Sequence, residues 1–117
     1  MPYWVGGSGN ITDAANHWAA TSGGAPGAGN LPSSTTDAIF DVLSNITAYT
    51  VTVDATFTCR DLLFNAAPAA GTITLGGASG VLNVHGSLLM LAGMSCTALN
   101  TIKFAATTTG ATAPATM

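Results

Sequence analysis

Between Asp37 and Ala106 the apolar positions come in short bursts separated by turn formers. The bursts read TVTV (50–53), RDLLFN (60–65), TITL (72–75), VLNV (81–84), SLLML (87–91) and TIKFA (101–105). Within them Val51 and Val53, Ile73 and Leu75, Leu82 and Val84, and Ile102 and Phe104 stand two apart. A period of two among β-branched and aliphatic residues puts one side of an extended chain against a core, so the pattern predicts strands. Helix signals are poor. No apolar stripe at 3.6 spacing runs for three turns, and Gly and Thr, weak helix formers, are frequent. One short helical turn is predicted over 12–18, capped by Thr12 or Asp13.

The bursts also recur. TVTV returns as TITL after about 22 residues and then as GMSCT, RDLLF leads to VLNV after about 21, and VLNV to TIKF after about 20. Such a recurrence predicts an all-β fold, a short parallel β-helix or solenoid of about three coils. Its interior is a set of Val, Leu, Ile and Phe ladders, and Gly71, Gly76, Gly77, Gly80, Gly86 and Gly93 supply positive φ at the corners. An antiparallel β-sandwich is the competing fold, because short strands with frequent turn signals fit it as well. The recurrence favours the solenoid.

Two regions follow. Residues 1–36 hold the aromatic opening and a Gly/Ser/Pro-rich loop, TSGGAPGAGNLPSSTT, and residues 37–117 hold the coils. The ending TTTGATAPATM reads as more coil-like chain, open to continuation beyond Met117. The opening, YWVGGSGNITDAANHW, places Tyr3, Trp4, His17 and Trp18 around a glycine turn. A solenoid end exposes an apolar cross-section and unpaired strand edges, and repeat proteins cap such ends. The favoured reading makes this segment a lid; the alternative makes the same four residues a platform for a sugar or a partner.

Composition narrows the function. Apolar residues make up 48% of the chain and charged residues only 6%, against roughly 25% charged in ordinary domains. No window approaches the roughly 20 apolar residues of a membrane helix, so no membrane residence is expected. Arg60 and Lys103 are the only cations, too few to neutralise phosphates, which sets nucleic-acid binding aside. Residues 1–20 lack a basic stretch followed by an apolar one, so synthesis in a cytoplasm is expected. There Cys59 and Cys96 are expected as buried, unpaired thiols.

The run from YWVGG to DAIFD, followed by TVTVDATFTCRDLLFNAA and LNVHGSLLMLAGM, resembles a group of phage virion proteins. These open with a W-V-G-G-x-G type motif and continue as β-helical, tail-fibre-like chains. A looser similarity links the opening to autotransporter-type adhesin passengers. Where the group has a second aromatic after G-x-G, this chain has Ile11. The resemblance implies a non-enzymatic structural protein of a tailed-phage virion, made in the host bacterial cytoplasm. It implies a tail fibre or tail-associated module, or alternatively a capsid decoration protein. Its implied partners are other virion proteins and copies of itself, commonly as homotrimers. An adhesin module gripping a host surface glycan is the further alternative.

Candidate chemistry is sparse. There are five Asp, no Glu and two His. Asp54 and Asp61 stand near turns, where paired carboxylates would suit glycoside cleavage, but turn capping and an ion pair of Asp61 with Arg60 are the simpler roles. Asp37 and Asp41 match no recognised calcium loop. His17 is expected to pack on the lid and His85 to sit at a corner. Met90 and Met94 are expected as core fillers. No spacing makes a zinc site, a nucleophile–base pair or a phosphate loop, so neither a cofactor nor a metal is called for.

Overall fold

The computed structural model describes residues 2–77, 79–97 and 101–104. The ending TTTGATAPATM therefore lies outside the described residues, as does any continuation of the coils there. The chain is mostly strand. In order it forms β1 (Tyr3–Trp4), β2 (Gly9–Asn10), helix α1 (Ala14–His17), β3 (Trp18–Ala19), a 3-10 turn (Ala28–Asn30), β4 (Ala38–Phe40) and β5 (Thr47–Thr52). Then come β6 (Phe57–Cys59), β7 (Leu62–Phe64), β8 (Ala70–Gly76), β9 (Val81–Val84), β10 (Leu88–Leu89), β11 (Ser95–Thr97) and β12 (Thr101–Phe104). The short 2- and 3-residue strands β1–β4 and β6 fall outside the predicted bursts.

Three sheets result, ordered β10-β7-β4-β1-β3, β11-β8-β5-β2 and β12-β9-β6. From β4 onward the chain visits the first, second and third sheet in turn, three times over. Of the nine strand pairs among the described residues, eight are parallel and only β1 with β3 is antiparallel. No two consecutive strands pair with each other among the described residues, so hairpins of the sandwich kind do not join these elements. Thr50 lies beside Thr74 and Thr74 beside Ser95, and Leu82 lies beside Ile102. The recurrence of TVTV with TITL and GMSCT, and of VLNV with TIKF, is thus a true stacking. That of RDLLF with VLNV is not: β7 belongs to the first sheet, between β4 and β10, and β9 to the third. Sequence similarity misled there because both runs are inward-facing aliphatic strands of equal period.

Alternation sorts the side chains. Val51, Leu75 and Cys96 share one inward register, as do Phe57, Leu82 and Ile102. Phe40 stacks on Phe64 with ring centroids 4.4 Å apart. The first two members of each ladder are buried, each contributing about 1.5–3 kcal/mol by leaving water. Outward positions carry polar side chains instead, as in Thr50–Thr74–Ser95 and Thr58–Asn83–Lys103. Cys59 is buried as expected, but Cys96 is exposed: its ladder position faces inward on β11, a strand whose three residues are all exposed.

Corners are held by specific contacts. At Gly77, φ is +123° and a Cβ would lie 2.5 Å from the Val53 carbonyl oxygen, so only glycine turns here. Of the other corner glycines, Gly71 and Gly93 have positive φ, but Gly76, Gly80 and Gly86 do not; at Gly86 glycine is needed for space instead, because a side chain would collide with the Asp61 carboxylate. Between the third and first sheets, Asp37 Oδ1 accepts from the Asp61 N–H at 3.3 Å. Asp61 Oδ1 in turn accepts from the Ser87 N–H at 2.7 Å. Each carboxylate thereby satisfies a backbone donor that the turn has taken out of the ladder.

Candidate functional site

β1 and β2, inside the predicted lid, extend the first and second sheets by pairing with β4 and β5. β3 then returns antiparallel to β1, setting Trp4 opposite Trp18. The two indoles meet edge-to-face at 5.2 Å, with Phe40 5.5 Å from each. Trp18 also stacks on Phe57 at 5.7 Å. Both indoles are 0% exposed. Their N–H groups donate inward, Trp4 Nε1 to the Gly7 carbonyl and Trp18 Nε1 to the Ile11 carbonyl, which lets amphipathic rings sit fully inside.

His17 completes the cluster. Its imidazole lies parallel to the Trp4 ring at 4.5 Å, and its Nδ1 is 2.7 Å from the Val5 carbonyl oxygen. Gly9 makes room for it: a Cβ there would overlap His17 Nε2. Of the four residues predicted together, Trp4, His17 and Trp18 are brought together, with His17 8% exposed, whereas Tyr3, next to Trp4 on β1 and so on the other face of the strand, is partly accessible and outside the cluster. A sugar platform needs exposed ring faces, and these faces are covered by protein. Helix α1 is shorter than predicted; Asp13 occupies its N-cap position, as one of the two expected caps, but makes no side-chain cap hydrogen bond. Thr12 instead donates from Oγ1 to Asp54 Oδ2 at 2.7 Å, and Asp13 accepts from the Asn16 side chain.

The carboxylates are all engaged. Asp54 takes Thr12 and so ties the lid to the corner after β5. Asp41 accepts from the Leu43 N–H at 3.0 Å and the Ser22 hydroxyl at 2.6 Å. Arg60 pairs with Asp37, Nε to Oδ1 at 2.8 Å, and not with its neighbour Asp61. Stacking explains the difference, since the corner at Asp37 lies directly beside the corner at Arg60, whose N–H reaches the Thr36 carbonyl. The side-chain hydrogen bond to Asp37, and then the Asp37 charge, push the guanidinium further up from its ordinary pKa. Only the 24-residue offset that sets Ala38 beside Leu62 reveals this partnership, and no motif announces it. His85 is half-buried at the corner after β9, its N–H bonded to the Cys59 carbonyl.

Burial, and then the Asp61 and Asp37 charges, push the Cys59 thiol up to about 12, which removes it as a nucleophile at neutral pH. Burial raises Cys96 as well. No cluster of three or more metal-ligating side chains occurs among the described residues, and no helix among them is long and apolar enough to cross a membrane. Compared with protein-family models, curated proteins and solved structures, the chain matches none.

Proposed function

We propose that this chain is a short stack of parallel coils, a lidded β-solenoid, serving as a non-enzymatic structural component of a tailed-phage virion. A tail fibre or tail-associated module is the role it fits best. The observation that carries the reading is the use of the carboxylates: all five accept hydrogen bonds from the fold's own backbone or side chains. A hydrolase of this build needs two carboxylates free to face a substrate, and here each one fastens a turn or the lid. The parallel register of eight strand pairs supports the coil geometry. The resemblance of the YWVGG opening to phage virion proteins supplies the setting, with other virion proteins as partners. A capsid decoration protein shares all of these features, and burial of both indoles favours either role over a glycan-binding adhesin.

The test is location. Particles purified from a lysate by density gradient are expected to contain the protein at a fixed copy number by quantitative mass spectrometry, with antibody labelling at the tail. Label on the head would assign it to decoration. Recovery only in the soluble fraction of infected cells would overturn the virion role.

A further inference from the structure

We draw no further inference here: the strongest candidate, the apolar ladder Tyr3–Ile39–Leu63–Leu89 on the outer face of the first sheet, carries nothing, because Ile39 within it is already buried by the chain itself and nothing in the structure shows what covers the half-buried Leu63 and the exposed Leu89.

Discussion

Tyr49 has a buried hydroxyl with no hydrogen-bond partner among the described residues. Its ring faces inward from β5 beside Ile73, so the strand contributes packing while the hydroxyl is left unsatisfied, a situation that costs about 1–3 kcal/mol. Tyr49→Phe keeps the ring and removes the liability. It is expected to stabilise the fold by about 1 kcal/mol at neutral pH in urea unfolding, and destabilisation would show that the hydroxyl is bonded after all. The same residue has a pH signature. Burial first, and the Asp41 charge after it, push the phenol up to about 12. Cys59 is likewise pushed up to about 12. Both groups keep their protons when folded and lose them near 10 and 9 when unfolded, so between those values the native state binds more protons. Stability then falls as pH rises from about 9 toward 12. The melting temperature should decline over that window in the parent and more gently in Tyr49→Phe; parallel curves would contradict the assignment.

At the scale of elements, the lid is built around the space above Gly9. Because a Cβ there would overlap the His17 ring, Gly9→Ala is expected to displace the imidazole from Trp4 and destabilise by about 1–3 kcal/mol, the range for overpacking. Tryptophan fluorescence and thermal melts check this, and a neutral result would mean that the lid has slack. The aromatic cluster at the opening was legible from spacing, since both of the chain's tryptophans stand around one glycine turn. Its chemistry was not. Whether Trp4 and Trp18 face in or out depends on where Phe40 and Phe57 arrive, 36 and 39 positions later in the chain. The long strands β5, β8, β9 and β12 were legible for the opposite reason: two or more inward residues at period two leave one choice of face. Strands of two or three residues, such as β4 and β6, carry too few alternations to register and exist because the neighbouring strand templates them. The Asp37–Arg60 pair was illegible in the same way, as it depends on stacking offset and not on proximity in sequence.

The molecule as a whole holds together almost without ion pairs. Arg60–Asp37 is the one salt bridge among the described residues, and its arginine side chain is half exposed. With only 6% of residues charged, screening has little to act on. The melting temperature is expected to change by no more than about 2 °C between low and high sodium chloride, while sulfate, which strengthens apolar burial, raises it. A steep loss on adding sodium chloride would mean that electrostatics carries more of the fold than its contacts show.

The corner carboxylates have a further consequence. Asp37 reaches forward to Asp61, and Asp61 forward to Ser87, so two successive turns that lead into the first sheet each present the acceptor that the next one requires. Such a structure has mechanical polarity. A pulling force applied at the far turn is resisted one clasp at a time, and peeling it away leaves the remainder intact, whereas a force at the opposite extremity must first break open the tryptophan seal.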